Sequence, residues 1–210
     1  MSAVVDLSRL APGFAQPALD SQTVFRTCLD ALADPGRVKH LAGGILESPP
    51  AGASPAAVAV LLALLDQDTP LWLGEGLRDG DVAAYLRFHT GCPIVRSPAE
   101  AGFALLAGGD EAASLSDFMQ GSETFPDRSA TLVVQCDGLS NTRDAMDGAG
   151  GWRLTGPGIR EQAWLQVAGA RADFPRQWAS NRKCFPCGVD VFFASGLSLA
   201  GLPRTTRLEA

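Results

Sequence analysis

Apolar side chains recur at helical spacing over residues 17–34 and predict the first helix of the chain. The members of its apolar face are three or four positions apart, namely Val24, Phe25, Cys28, Leu29 and Leu32. The helix is expected to end at Asp34, because Pro35 disfavours the helical conformation of the residue before it and Gly36 permits a turn. One face of this helix should therefore pack on the core.

A second helix is predicted from Ser54-Pro55 to Leu65, and it is apolar on nearly every side. A serine hydroxyl is a good N-cap, and proline is favoured at the first helical position. Because the helix has no extended polar face, we expect it to lie deep in the fold. Further helices are predicted over 79–89, 111–120 and 173–184.

Short apolar segments rich in β-branched residues predict strands between these helices. They cover 37–42, 69–74, 92–97, 102–108, 130–136, 151–156, 189–195 and 199–209. Strands that alternate with helices predict a layered α/β domain, and the two closing strands follow each other without a helix, so the sheet should be mixed. The polar, glycine-rich residues 137–151 are predicted to form a long loop. We expect one domain over 17–210 after an N-terminal extension, 1–16.

Composition and charge narrow the classes of function. The chain has 210 residues and a net charge of −6, which disfavours nucleic acid as a partner because phosphates require a basic face. The longest apolar run, 55–65, is shorter than the ~20 residues that a membrane span needs. The start of the sequence is a poor signal peptide, and five unpaired cysteines fit a reducing compartment, so a cytoplasmic protein without a membrane partner is expected.

Cys184 and Cys187 have the spacing of zinc and redox motifs. A structural zinc site needs four ligands, and no second pair of cysteines or histidines accompanies them. A redox pair needs the N-terminus of a helix, whereas Gly188 and a predicted strand follow here. We interpret the two cysteines as small apolar residues that lead into a buried strand, and no metal is expected.

Three other motifs of catalysis are incomplete. Lys39 and Lys183 are the only lysines, and neither lies beside a convincing phosphate loop, so a Schiff base with pyridoxal phosphate is not favoured. Gly156 and Gly158 lack the third glycine of a dinucleotide fingerprint. Phe193 replaces the first glycine of a nucleophile elbow. No complete catalytic group and no cofactor are predicted from the residues alone.

Three polar segments leave two interpretations open. "DQDTPLWL" (66–73) and "LRFHTGCP" (86–93) place polar groups where a helix ends and a strand begins, and "GLPRTTRLE" (201–209) combines arginine with hydroxyls. These groups suit turn closure, helix ends and an edge strand. They equally suit contacts with a phosphate.

Taken together, several segments resemble one family, the H subunits of the bacterial carbon–phosphorus lyase system. The segments are "FRTCLDALADPG", "LLDQDTPLWL", "LRFHTGCP", "RLTGPGI", "FPCGVDVFF" and "GLPRTTRLE", in the family's order and spacing. The resemblance runs from about residue 17 to the C-terminus. It implies a three-layer α/β/α sandwich with a mixed sheet, similar to the fold of pyridoxal-phosphate-dependent transferases but without the cofactor. It also implies that residues 184 and 187 need not be cysteine.

The resemblance further implies a role in phosphonate catabolism, within a system of transferase and lyase activities. Such subunits act with the G, I and L proteins to form α-D-ribose 1-methylphosphonate 5-triphosphate from ATP and methylphosphonate. They form homodimers alone and assemble with the G, I and J subunits. A non-catalytic subunit is the expected function, and the alternative is a self-sufficient enzyme on a phosphorylated substrate that uses His89 and nearby arginines.

The family has no firmly assigned active site in this subunit, so no catalytic residue is transferred. The polar residues of the shared motifs are instead predicted to form a surface for a phosphorylated small molecule or a partner subunit. The candidates are Arg26, Asp68, Thr69, Arg87, His89, Arg204, Thr205 and Thr206.

Overall fold

The computed structural model describes residues 11–78, 80–142 and 151–209, which form two packed β-sheets and four α-helices. The helices are α1 (Pro17–Ala33), α2 (Pro55–Leu64), α3 (Asp81–Thr90) and α4 (Phe174–Lys183). The strands are β1 (Lys39–His40), β2 (Leu71–Leu73), β3 (Ile94–Val95), β4 (Phe103–Ala107), β5 (Thr131–Gln135), β6 (Gly138–Ser140), β7 (Trp152–Thr155), β8 (Ala163–Ala168), β9 (Asp190–Ser195), β10 (Ser198–Leu202) and β11 (Arg207–Glu209). In the part of the chain so described, no helix has the length and apolar character needed to cross a membrane.

The larger sheet has seven strands in the order β1-β10-β9-β5-β4-β2-β3. Strands β3, β2, β4, β5 and β9 pair in parallel, and β9, β10 and β1 pair antiparallel. The predicted mixed sheet is therefore confirmed, including its antiparallel end. The smaller sheet, β11-β7-β8-β6, is antiparallel throughout.

The seven-stranded sheet is the middle layer, because its side chains alternate between two hydrophobic clusters. Leu71 and Leu73 of β2 belong to the cluster that contains α1, α2 and α3. Trp72, between them, belongs to the cluster that contains β7, β8 and α4. Helices alone were expected on both faces. The second face carries the four-stranded sheet beside α4, because β7 alternates apolar with polar residues and the apolar side chains of β7 and β8 join the same cluster.

The helix predicted from Ser54-Pro55 is confirmed, with its end one residue earlier than expected. The Ser54 hydroxyl accepts a hydrogen bond from the backbone N–H of Ala57 at 3.3 Å, which satisfies one free donor of the first turn. Residues 56–61 are fully buried, as the apolar pattern required. The helices predicted over 17–34 and 173–184 are also confirmed, as α1 and α4.

The helix predicted over 111–120 is wrong. Only a single 3₁₀ turn forms there, at Leu115–Asp117, and side chains of Ser114 and Asp117 cap its backbone. The Leu115 N–H donates to the Gln177 side chain of α4 at 2.8 Å instead of to a helical carbonyl. Tertiary contacts thus override a weak local preference for helix.

Two strands were not predicted. β6 lies inside the segment expected to be a loop, 137–151, of which 143–150 lie outside the described residues. β8 was given no assignment, although it pairs with both β6 and β7. Both strands belong to the smaller sheet.

Candidate functional site

Arg204, in the turn after β10, is the most connected polar side chain of the three motifs. Its guanidinium donates to both carboxylate oxygens of Asp190, at 3.1 and 2.5 Å. It also donates to the Ser129 hydroxyl at 2.5 Å and, through one nitrogen, Nη1, to the carbonyl oxygens of Pro126 and Pro186 at 2.9 and 3.3 Å. All of its donor directions therefore point at groups of the protein itself.

The two threonines after Arg204 serve the turn that leads to β11. Thr206 is fully buried; its N–H donates to the carbonyl of Pro203 at 2.8 Å, and its carbonyl accepts from the Trp178 indole of α4 at 2.9 Å. Thr205 is half-buried. Thr206 cannot reach a ligand without a change of the structure.

The side chains of Asp66 and Thr69 close the turn between α2 and β2. One carboxylate oxygen of Asp66 accepts from the N–H of Asp68 at 3.0 Å and from the Thr69 hydroxyl at 2.6 Å. The hydrogen bond from Thr69 and the bond from the Asp68 backbone lower the pKa of Asp66. Asp68 itself is exposed at the tip of the turn.

His89 and Arg87 lie in the last turn of α3. The His89 Nε2 donates to the carbonyl of Ala11 at 3.0 Å, and its ring packs against Tyr85 with the ring centroids 4.4 Å apart. Arg87 is exposed. Because Gly91, which ends the helix in the left-handed conformation, packs against Gln67, this end of α3 lies beside the turn that contains Asp68 and Thr69.

The eight predicted residues do not form one site. Asp68, Thr69, Arg87 and His89 lie together, at the ends of β2 and α3. Arg204, Thr205 and Thr206 lie at the same edge of the sheet but beside β9, three strands from β2, or about 14 Å at the usual strand spacing. Arg26 is on the exposed side of α1. That these residues contact a ligand or partner stays a prediction.

Carboxylates lie at the carboxyl ends of two parallel strands, β2 and β5, where α/β proteins usually bind ligands. The side chain of Asp110 packs against Gly74, directly after β2, and that of Asp137 packs against Gly169. A side chain at either glycine would collide with these carboxylates. Access of a ligand to the backbone at Gly74 and Gly169 is therefore obstructed.

A groove of about 420 Å³ lies between the end of α1 and the turn from β7 to β8. Its charged lining residues are Asp34, Arg37 and Arg160. Asp34 accepts a hydrogen bond from Lys39 at 3.2 Å, which uses the amine of one of the two lysines. The other lysine, Lys183, is exposed at the end of α4.

Cys184 and Cys187 belong to the turn between α4 and β9. Cys184 is exposed and its thiol donates to the carbonyl of Ser180 at 3.5 Å, and Cys187 is half-buried. The pair does lead into a buried strand, β9, as interpreted, although Cys184 itself is exposed. Among the described residues no three side chains of the metal-binding types are grouped to hold an ion.

Sequence reasoning missed the acidic and amide partners that organise these turns. Asp190 stands opposite the turn of Arg204 because β9 and β10 form a hairpin in which Val191 pairs with Leu202. Asn181 of α4 donates to the carbonyl of Val189 at 2.9 Å and accepts from its N–H at 2.8 Å. The sequence signal for the proximity of Asp190 and Arg204 was the hairpin turn between β9 and β10.

Comparison with known proteins gives a consistent result along the chain. Residues 12–209 match the family described as bacterial phosphonate metabolism protein (PhnH). The chain is 35% identical over 196 residues, 93% of this chain and 94% of the relative, to the alpha-D-ribose 1-methylphosphonate 5-triphosphate synthase subunit PhnH of Rhizobium meliloti (strain 1021). It is 33% identical over 188 residues, 90% of this chain and 85% of the relative, to the "Putative C-P lyase subunit protein HtxG" of Stutzerimonas stutzeri. The chain therefore belongs to the family of bacterial phosphonate metabolism proteins of the PhnH type.

Proposed function

We propose that this chain is a subunit of a multi-subunit enzyme of bacterial phosphonate catabolism and that it acts by contact with other subunits. The observation that carries this proposal is the family match over residues 12–209, together with two relatives that are both named as subunits. One of these names is that of a synthase of alpha-D-ribose 1-methylphosphonate 5-triphosphate, and the other refers to C-P lyase. The same overall reaction, from ATP and methylphosphonate, is proposed for the enzyme that contains this chain.

The finer parts of the proposal concern the assembly. The chain is proposed to work in the cytoplasm with the G, I, J and L subunits of the carbon–phosphorus lyase system and to form a homodimer when isolated. Its central mixed sheet is proposed to correspond to that of the pyridoxal-phosphate-dependent transferases, without the cofactor. A closed two-fold dimer is the commonest arrangement for a chain of this kind.

The internal use of its polar side chains supports a role without independent catalysis. Arg204 directs its donors at the protein, Thr206 is fully buried, and His89 donates to a backbone carbonyl. Arg26 and Arg87, by contrast, are exposed. These two arginines are the candidates we retain for contact with a phosphorylated ligand or a partner.

Reconstitution tests this proposal directly. The purified chain, the G, I and L subunits together, and all four proteins are each given ATP and methylphosphonate, and adenine release is measured by chromatography. We expect adenine release and the triphosphate product only when the chain and its partners are both present. Turnover by the chain alone would contradict the proposal.

The alternative is a self-sufficient enzyme, and the placement of Arg87 and His89 at one end of α3 favours it. An imidazole would act as acid or base and the guanidinium would hold the anion. The test is His89→Ala in the reconstituted system, with unfolding measured separately and Phe25→Ala, at an exposed position on α1, as the control. An unchanged rate in a folded His89→Ala protein rules this alternative out.

A further inference from the structure

Two exposed phenylalanines belong to loops whose backbones are neighbours. The side chains of Phe125 and Phe185 are 46% and 62% exposed, and each residue immediately precedes a proline. A single nitrogen of Arg204 donates to the carbonyl oxygens of both prolines, at 2.9 and 3.3 Å. Since both carbonyls reach the same atom, the two Phe-Pro segments must be neighbours.

The backbone under the two rings is held in place. Arg204 is itself fixed by the carboxylate of Asp190, and the N–H of Gly188 donates to the carbonyl of Gln120 at 2.9 Å, which joins the two loops again. The guanidinium of Arg128 lies 4.2 Å from the centroid of the Phe125 ring. A surface that is ordered before binding loses little entropy when a partner arrives.

We propose that Phe125 and Phe185, with the turns 122–128 and 182–188 that carry them, form a docking surface for a different subunit of the enzyme. We name it the Phe-Pro surface. Large aromatic side chains are the residues that most often dominate the affinity of interfaces. The partner is expected to offer an apolar socket for the two rings. The inference rests on the proposed function, because it requires an enzyme with more than one kind of subunit.

Charge favours a different chain over a second copy. The two turns carry three cations and two anions, a net charge of +1, within a chain of net charge −6. Those charged residues are Glu123, Asp127, Arg128, Arg182 and Lys183. A two-fold homodimer through this surface would place it against itself, with its excess positive charge on both sides. A socket rimmed by carboxylates complements it better.

Three cavities among the described residues are poor sockets for a phenyl ring. The groove beside Arg37 and Arg160 is charged, and the apolar cavity beside Phe174 has only about 30 Å³. The groove along α4 is lined mostly by polar side chains such as Gln177 and Asn181. These three cavities therefore favour a complementary surface on another protein.

The test compares two double variants of the full chain. Phe125→Ala/Phe185→Ala truncates the Phe-Pro surface, and Phe25→Ala/Phe88→Ala truncates two similarly exposed rings on α1 and α3 as the matched control. Each protein is titrated against the co-purified G, I and J subunits by biolayer interferometry, and its own oligomeric state is measured by analytical ultracentrifugation. We expect the first variant to bind roughly thirtyfold more weakly or worse, with an unchanged oligomeric state and urea midpoint, because interface hot spots have effects of this size. The control should bind like the wild type.

Three outcomes overturn the inference. If the wild type and the Phe125→Ala/Phe185→Ala protein bind with equal affinity, the Phe-Pro surface is not part of the interface. If the control loses as much affinity, the effect is due to the loss of any exposed apolar side chain and not to this surface. If the isolated wild type is a homodimer and the Phe125→Ala/Phe185→Ala protein is a monomer, the Phe-Pro surface binds a second copy of this chain. If the wild type itself does not bind the other subunits, the proposed function is wrong as well. If only the Phe-Pro surface is wrong, the wild type still binds them, so the two failures can be distinguished.

Discussion

Arg204→Ala is expected to lower the free energy of unfolding substantially, because it removes one half of a mostly buried ion pair. The side chains of Arg204 and Asp190 are only 13% and 21% exposed. Breaking such a pair from one side typically costs about 3–5 kcal/mol, since the remaining charge is left without its partner. The backbone N–H of residue 204 still donates to Asp190, at 2.7 Å in the native protein, so we expect a loss near the lower end, about 3 kcal/mol.

The loss is measured by urea unfolding, followed by circular dichroism. For a chain of this length, a loss of 3 kcal/mol corresponds to a fall in Tm of about 6–12 °C. The matched control is Arg153→Ala, which breaks the ion pair with Glu209 on β11. Those two side chains are 43% and 56% exposed, and exposed pairs contribute at most about 1 kcal/mol. Arg204→Lys keeps the charge but loses the planar fork, so most of the loss should remain.

A loss below about 1 kcal/mol for Arg204→Ala, equal to that of the control, would refute this reasoning. It would mean that Asp190 and the proline carbonyls do not depend on the guanidinium. Arg204 would then be available to an external anion, as the motif "PRTT" originally allowed. The measurement therefore separates a structural role of Arg204 from a role in ligand binding.

Three further results are expected. Thr206→Val should stabilise the protein by up to about 1 kcal/mol in urea unfolding, because the buried Thr206 hydroxyl has no hydrogen-bond partner among the described residues. A loss of stability would show that the hydroxyl does have a partner. Hydrogen bonds from Arg171 lower the pKa of Asp173 from 3.8 to about 2. The contribution of Asp173 to stability is therefore present above pH 4 and is lost as the pH falls to 2. Asp173→Asn should flatten that part of the acid-unfolding curve. Burial raises the pKa of Cys28 to about 12. A disulfide reagent should therefore label the exposed Cys184 first and Cys28 only on unfolding. Fast labelling of Cys28 in the native state would contradict its burial.

The elements that could be predicted are those whose local signals agree with their tertiary surroundings. α2 has a serine cap, an N-terminal proline and an apolar circumference, and all three signals fit a helix buried under two neighbours. The parallel strands are continuous apolar runs, as expected when both faces of a sheet are covered. α1 was assigned correctly as a helix, but Phe25 and Leu29 of its apolar face are exposed, so the sequence overestimated how much of that face the core covers.

The candidate site could be predicted less well, because its geometry depends on contacts between distant residues. Only the hairpin turn between β9 and β10 relates Arg204 to Asp190, fourteen residues earlier, and that signal does not by itself identify the two side chains as partners. Ser129 and Pro126 are more than seventy residues away. A polar motif shows that its residues need partners, but it does not show whether those partners belong to a ligand or to the protein.

The ion pair of Arg204 and Asp190 can affect both the stability of the fold and the positions of the loops around it, and the two effects are separate. A mostly buried ion pair is often no more stabilising than apolar residues of the same volume. Two apolar side chains, however, would not bind the carbonyls of Pro126 and Pro186, which the guanidinium holds at fixed positions. What the pair adds is therefore the placement of two loops, each with an exposed phenylalanine one residue from the bound carbonyl. A fixed surface of this kind suits a protein that works by contact, whereas a catalytic role of Arg204 would need its guanidinium free for a substrate.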